Sequence, residues 1–361
     1  MDDLERLLFY LTNDYVKGRT LSQNIPFQLF RRHALKHYAT ISLAGREVIL
    51  QQLIKHIKDP HVRLESILTP SRSLERLYED HFRSFYQPSV GMPMQHAVTF
   101  NNLEPQASVI DSDTLLWQIP SLHVGFMPRL EGLLAQYRQA MEHLPYWIID
   151  LRGNGGGSDR IWSHFWPYLS SGVLLQGGTA FRASRGNQGY FTLAAHYAKL
   201  WGAHNDSLWY ESVVKAMRVQ SGNFVIPPLP GFSPEIHLQQ PRPYPQRVAI
   251  LIDNKTASSA ETLVHLAKQS FKVIVLGQSP SMGCTDSGNL RYAILPSKRY
   301  ALSFGTSLEL NSYHVAIDRG GYQPDIILPQ GDPALVIPWA QAYLRNDLNQ
   351  IRAIYTQFSS R

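Results

Sequence analysis

Asp150-Leu151-Arg152-Gly153-Asn154-Gly155-Gly156-Gly157 is the stretch that decides the fold. It follows Tyr146-Trp147-Ile148-Ile149, an apolar run with the length and composition of a buried strand. A strand that runs into charge and then into four glycines within five positions exceeds ordinary turn chemistry. A turn needs one or two glycines. So dense a cluster implies a backbone that comes very close to another group, with N–H groups pointing at it. Such groups hold an oxyanion or a phosphate; a purely structural glycine turn is the third reading. Phosphate is the weaker ligand. The Gly-x-x-x-x-Gly-Lys-Ser/Thr spacing is missing, and Gly153, Gly155 and Gly156 only approach Gly-x-Gly-x-x-Gly.

Outward from this loop, residues 114–119 read as a strand, 129–143 as a helix and 146–150 as the next strand. Together they make a strand–helix–strand unit of a parallel or mixed sheet. A helix is expected over 158–170. The region 177–245 reads as long and irregular, with an aromatic-rich helix around 190–217 and many prolines. Long loops in compact domains are usually functional, so it is expected to be an insertion or lid. Beyond it come a buried strand at 247–253, a helix at 258–270, a strand at 272–276, a strand pair at 290–295 and 300–304, and an amphipathic helix over 333–357. Towards the N-terminus, residues 2–17 and 27–58 carry helical apolar spacing, and 66–107 is polar with little periodicity.

The 361 residues are 44% hydrophobic, enough for a sizeable core and more than one lobe. Apolar runs stay below 18 residues, so no membrane span is expected. The net charge of +6 is spread along the chain, with Arg31-Arg32-His33 the one short basic cluster. That pattern fits a solvated helix face better than a nucleic-acid surface, and no nucleic-acid partner is expected. One cysteine, Cys284, excludes an internal disulfide and a multi-cysteine zinc site; no metal and no cofactor are expected. The acidic start, Met1-Asp2-Asp3-Leu4-Glu5, lacks a signal-peptide pattern. It leads to a cytoplasmic expectation as the sequence is written, or a periplasmic or secreted one if a signal was trimmed.

Three further segments carry chemistry. In Asp253-Asn254-Lys255-Thr256-Ala257-Ser258-Ser259-Ala260-Glu261 a buried strand ends in small residues and a helix starts at a serine. That junction can lift a hydroxyl above the sheet edge, over a helix N-terminus that favours negative charge. Ser258-x-x-Glu261 is equally a capping box, which needs only local hydrogen bonds. In Ile57-Lys58-Asp59-Pro60-His61 a helix ends before Pro60 and a histidine stands just beyond; alone it reads as a surface or satisfied residue. Ile317-Asp318-Arg319-Gly320-Gly321-Tyr322-Gln323-Pro324-Asp325-Ile326 places a carboxylate beside turn residues between strands.

Taken together and in this order, the four segments resemble the peptidase family that holds the C-terminal processing proteases, the tricorn core protease and the interphotoreceptor retinoid-binding protein modules. Asp150 to Gly157 is similar to its Asp-Leu-Arg-x-Asn-x-Gly-Gly signature. Val248 to Leu266 is similar to its strand, small residues and Ser-x-x-Glu helix. Ile57 to His61 and Gly321 to Ile326 match by position. The resemblance implies an α/β fold, a crotonase/ClpP-like mixed-sheet core with a small helical N-terminal domain. The expected division is residues 1–66 for the helical domain that brings the histidine, 67–113 for a linker or short insertion, and 114–361 for the peptidase domain with its lid-like insertion at 177–245.

The resemblance also implies roles. Ser258 is the nucleophile, with Ser259 its less favoured neighbour. Gly155 or Gly156, with the Ser259 N–H, forms the oxyanion hole. The processing proteases activate their serine with a lysine in a Gly-Lys-Gly context. The matching stretch here, Gly277-Gln278-Ser279-Pro280-Ser281-Met282-Gly283-Cys284, has no lysine. The tricorn-like branch uses a histidine and a late acidic residue, and His61 and Asp318 occupy those positions; Asp59 and Glu309 are other acids able to serve. Serine needs a base near pKa 7, and the base needs an acceptor that fixes its tautomer. Residues 66–113 are too short for the PDZ module of many members. The implied activity is hydrolysis of peptide or unfolded-protein substrates, with the oligomeric state left open. Two alternatives stand beside it: a non-catalytic module for a hydrophobic ligand, and an acyl-CoA enzyme of the crotonase type.

Overall fold

The computed structural model describes residues 2–86, 104–170, 172–229, 232–237, 242–310, 317–318 and 320–359. The chain forms two units, each assembled from three separated segments. One takes residues 1–99, 177–233 and 286–314; the other takes 100–176, 234–285 and 315–361. The part of the linker at 87–103, including most of the room a PDZ module would need, lies outside the described residues.

The second unit is built on a mixed sheet. Among the described residues its strand order is Ile326–Ile327, Val273–Gly277, Arg247–Ile252, Tyr146–Asp150, Thr114–Gln118 and Gln106–Val109. All neighbours are parallel except the last pair. The central strands read as continuous apolar runs because both faces are covered. Trp147 and Ile149 face one core, with Val248, Ile250, Leu263 and Val264. Ile148, Ala249 and Leu251 face the other, with Trp339 and Ala340 of the helix Val336–Leu344. Full burial of each large apolar side chain contributes about 1.5–3 kcal/mol. The register pairs Gln118 with Asp150, Asp150 with Leu251 and Leu276 with Leu251. The carboxyl ends of four parallel strands are therefore level, which sets the glycine loop beside the segment that carries Ser258.

The first unit holds an antiparallel sheet. Tyr300–Glu309 pairs with Arg63–Ser66, Ser287–Ile294 and Thr179–Arg182, and Thr179–Arg182 with Phe224–Val225. The helix Asp3–Asn13 starts at a capping box of Asp2 and Glu5 and buries Leu4, Leu7, Leu8 and Leu11 on the sheet residues Leu302 and Phe304.

Several elements differ from the sequence expectation. The single helix expected over 27–58 is two, Ile25–His37 and Leu43–Lys55. The Ser42 side chain caps the second, accepting from the Gly45 N–H at 3.2 Å. The stretch 66–107 contains a helix, Leu74–Tyr86, that buries Leu77 and Phe82 together with Asp80, His81 and Ser84; its apolar residues Leu74, Leu77, Tyr78, Phe82 and Phe85 recur at helical spacing, a periodicity overlooked among the charged residues around it. The helix expected at 190–217 is a pair, Arg185–Leu200 and His204–Val219, turning at Gly202, whose φ is +78°. The helix at 129–143 is likewise two, Met127–Gln136 and Arg138–His143. The region 158–170 is a 3-10 turn, Asp159–His164, followed by the short helix Trp166–Leu169. The terminal helix breaks at Asn346, φ +59°, into Val336–Leu344 and Leu348–Ser359. Among the described residues no helix is long and apolar enough to cross a membrane.

Candidate active site

Most residues of the glycine signature have a local task in the second unit. The Arg152 guanidinium clasps the Asp150 carboxylate at 2.8 and 2.6 Å and donates to the Pro333 carbonyl oxygen at 2.7 Å. This forked pair fixes the strand end. Asn154 is fully buried; its amide donates to the Ile119 carbonyl oxygen at 2.6 Å, and its Oδ1 accepts from the Gly156 N–H at 2.8 Å. Gly156 has φ +95°, and a Cβ there would lie 2.7 Å from the Ser258 Cβ and 2.8 Å from the Ala257 carbonyl oxygen. Only glycine permits that approach.

Four hydrogen bonds stitch this loop to the Ser258 segment. Gly153 N–H donates to Asp253 Oδ1 at 3.0 Å, the Thr256 hydroxyl to the Leu151 carbonyl oxygen at 3.0 Å, Ala257 N–H to the Asn154 carbonyl oxygen at 2.8 Å, and the Ser259 hydroxyl to the Gly157 carbonyl oxygen at 2.7 Å. The last bond separates the two serines. Ser259 is buried with its hydroxyl engaged, whereas Ser258 is half-buried, at φ +54° and ψ −124°, immediately before the helix Ser259–Ala267. An L-residue in this conformation costs about 1–3 kcal/mol, and such strain gathers where function demands a side-chain direction. A sharp strand-to-helix turn of this kind presents a hydroxyl above the sheet edge. Among the described residues, the N–H groups of Gly155 and Ser259 have no protein acceptor, while that of Gly156 is held by Asn154.

The capping reading of Glu261 holds, and the residue does more. Its fully buried carboxylate accepts from the Ser258 N–H at 3.0 Å, the Cys284 N–H at 2.9 Å, the Gly283 N–H at 2.7 Å and the Ser281 hydroxyl. The serine turn is thereby fastened to the 281–284 loop. Ser281 in turn accepts from the Tyr322 N–H at 2.7 Å. A Cβ on Gly283 would lie 2.4 Å from the Ile317 carbonyl oxygen, so the half-buried Asp318 belongs to the same group of loops. Burial, then the charges of Glu261 and Asp318, push the Cys284 thiol up.

His61 lies in the first unit, two residues ahead of the strand Arg63–Ser66. It is buried, as is Asp59, whose Oδ1 accepts the His61 backbone N–H at 2.9 Å. The ring Nδ1 stands 3.9 Å from Asp59 Oδ1 and 3.5 Å from the Ser287 hydroxyl oxygen. Asp59 Oδ2 accepts from the Tyr15 hydroxyl at 2.7 Å and from the Ser287 hydroxyl at 3.0 Å, with the Lys17 ammonium at 3.4 Å. Burial pushes this carboxyl up, but Lys17, His61 and Tyr15 together outweigh it and hold Asp59 below the usual carboxylate range. Tyr15, Lys17 and Ser287 were not legible as neighbours of Asp59. Each is a common residue type far from His61 in sequence, and no local spacing marks it. Glu309, the other acid considered, accepts the Thr179 hydroxyl at 2.9 Å.

A serine elbow over the carboxyl ends of a mixed sheet, beside a glycine loop with unsatisfied N–H groups, is the make-up of a serine-type peptidase. The chain belongs to peptidase family S41, whose model matches residues 118–328. Among solved structures, mature CPAF covers 97% of this chain and 97% of its own at 12% identity, with a TM-score of 0.60. CPAF complexed with lactacystin gives 98% of each chain, 12% identity and a TM-score of 0.58. The photosystem II D1 C-terminal processing protease gives 94% of this chain and 96% of its own, 11% identity and a TM-score of 0.45. The CPAF likeness concerns the fold. No curated protein matches the chain.

Proposed function

We propose that this serine peptidase hydrolyses peptide or unfolded-protein substrates with Ser258 as nucleophile and His61 as general base. The observation that carries this reading is the left-handed backbone of Ser258 with its half-buried side chain, next to a Ser259 hydroxyl tied to Gly157. In the reaction the Ser258 oxygen attacks the peptide carbonyl and His61 takes its proton. The proton then passes to the leaving amine, and water resolves the acyl-enzyme by the same steps in reverse. The N–H groups of Gly155 and Ser259 hold the oxyanion. Gly156 contributes by letting the loop approach Ser258, its own N–H being directed to Asn154. The imidazole needs an acidic partner. Asp318 is the candidate by its place in the chain, and Asp59 the candidate by distance.

The hydrophobic-ligand reading would need a cavity among the aromatics of 190–217. Those side chains pack on one another instead: Phe191 with Tyr210 at 5.9 Å between ring centres, and Trp209 with Phe232 at 5.6 Å. Labelling with a fluorophosphonate tests the proposal. Wild type and Ser259→Ala are expected to label, and Ser258→Ala to lose both labelling and peptide hydrolysis while remaining folded. Labelling that survives Ser258→Ala but not Ser259→Ala reverses the two serines. A wild type that neither labels nor cleaves unfolded protein defeats the catalytic reading.

A further inference from the structure

The basic cluster Arg31-Arg32-His33 is not used by the serine reaction, and its surroundings are one-sided in charge. Residues 15–58 hold eight lysines and arginines and one acid, Glu47, a net +7 against +6 for the whole chain. The remaining residues therefore come to −1. The positive excess, expected from the sequence to be spread along the chain, is gathered in one part of the first unit. The helix Ile25–His37 carries the cluster. Its inner residues, Phe27 and Ala34, are buried. The opposite face is Ile25, Leu29, Arg32 and Lys36, spaced i, i+4, i+7 and i+11, and all four are exposed. Ile25 is 70% exposed, Leu29 60% and Leu35, at the flank of this face, 51%. The helix contains no acid. Among the described residues neither Arg32 nor Lys36 has a hydrogen bond or an ion pair, and Glu47 accepts the Tyr300 hydroxyl at 2.9 Å.

A single exposed aliphatic residue needs no explanation. Two of them in line with two unpaired cations narrow the choice of partner. A nucleic-acid backbone would use the cations and leave Ile25 and Leu29 in water. An apolar protein groove would take Ile25 and Leu29 and strip water from the cations without pairing them. A lipid interface uses both kinds. Aliphatic side chains enter the boundary between headgroups and acyl chains, while long basic ones lay their stems along it and keep their charged ends at the phosphates. We propose that the exposed face of this helix docks the peptidase on an anionic lipid surface, with Ile25 and Leu29 seated at the headgroup boundary and Arg32 and Lys36 on the lipid anions. Each cation held at such a surface contributes about fivefold in affinity, so Arg32 and Lys36 together contribute about 25-fold. The inference is independent of which residues carry catalysis, since none of the four is near Ser258 or His61 in sequence and none has a role in the proposed reaction.

The test is co-sedimentation of the full chain with vesicles of phosphatidylcholine alone and of phosphatidylcholine mixed with phosphatidylserine. The protein is expected to sediment with the mixed vesicles, to ignore the neutral ones and to be released by added salt. The double variant Arg32→Glu/Lys36→Glu is expected to bind the mixed vesicles at least about 25-fold more weakly. The double variant Ile25→Ser/Leu29→Ser is expected to bind at least about tenfold more weakly, with a salt dependence like that of wild type. All four positions are exposed, so both variants should keep the wild-type circular dichroism spectrum and hydrolyse a soluble peptide at the wild-type rate. A wild type that stays in the supernatant with mixed vesicles overturns the proposal. So does binding that survives Arg32→Glu/Lys36→Glu, which would place the contact on another surface, or binding untouched by Ile25→Ser/Leu29→Ser, which would leave the apolar half idle. A wild type that ignores the vesicles but binds polyglutamate through Arg32 and Lys36 also overturns it, in favour of an acidic protein partner.

Discussion

Replacing Glu261 by glutamine is the most exacting single test of how the serine turn is held. Oε1 accepts from the Gly283 N–H at 2.7 Å and from the Ser281 hydroxyl, and Oε2 from the Ser258 N–H at 3.0 Å and the Cys284 N–H at 2.9 Å. An amide keeps one of those oxygens and turns the other into a donor. With its NH2 towards Ser258 and Cys284, two buried N–H groups are left facing a donor. With the amide reversed, the Ser281 hydroxyl rotates to accept and only the Gly283 N–H is orphaned. The second arrangement costs less. One orphaned buried donor costs about 1–3 kcal/mol, and two surviving bonds each weaken by about 1 kcal/mol on losing charge assistance, for a total of about 3–5 kcal/mol. Urea unfolding of the full chain by tryptophan fluorescence measures this as a fall in midpoint at unchanged slope. Fluorophosphonate labelling should fall with it, because the bond to the Ser258 N–H is among those weakened. A loss below about 1 kcal/mol would refute the idea that a buried carboxylate with four donors fastens the turn.

Gly156→Ala should leave a folded protein, since overpacking costs about 1–3 kcal/mol, yet label at least about 100-fold more slowly, because the new methyl displaces Ser258 itself; labelling at the wild-type rate would contradict the close approach. Ser258→Gly should be more stable than Ser258→Ala by about 1 kcal/mol or more in urea unfolding, as glycine relieves φ +54°; equal stabilities would mean the turn is unstrained. His81, fully buried beside Tyr190, Tyr292 and Phe85, has its pKa lowered by burial to about 3. It is neutral when folded and titrates near 6.5 when unfolded, so its contribution is complete above that pH and is lost as pH falls towards 3. By pH 5 the loss is about 2 kcal/mol. His81→Phe should flatten that stretch of the stability curve, and an unchanged slope would show that His81 does not titrate there.

The central sheet was legible because strands buried on both faces read as unbroken apolar runs, and Trp147-Ile148-Ile149 and Val248 to Ile252 are such runs. Ser258 was legible for a similar reason: strand, small residues and Ser-x-x-Glu are contiguous. Ser258 is favoured over Ser259 in the sequence by resemblance alone. A backbone angle and a bond to Gly157, 102 positions away, now support it independently. The helix breaks at Ser42 and Gly202 were missed because apolar spacing continues across them while the turn itself rests on one capping serine or one glycine. The surroundings of Asp59 were invisible for a deeper reason. They join residues 15, 17, 59 and 287, and a hydrogen bond leaves no period in a sequence when its partners meet only through the tertiary fold.

Cys284 turns the clamped loop into something measurable without any substitution. It is the chain's one cysteine, 2% exposed, and burial together with the Glu261 and Asp318 charges suppresses its thiolate. Alkylating reagents attack thiolates, so in the closed state the sulfur is inert. Modification proceeds through moments when the 281–284 segment lifts away from Glu261. With reagent in excess at fixed pH, the rate of thiol capture becomes a clock for those openings. Comparing it with the rate expected from global unfolding separates local breathing of the loop beside the serine from loss of the whole fold.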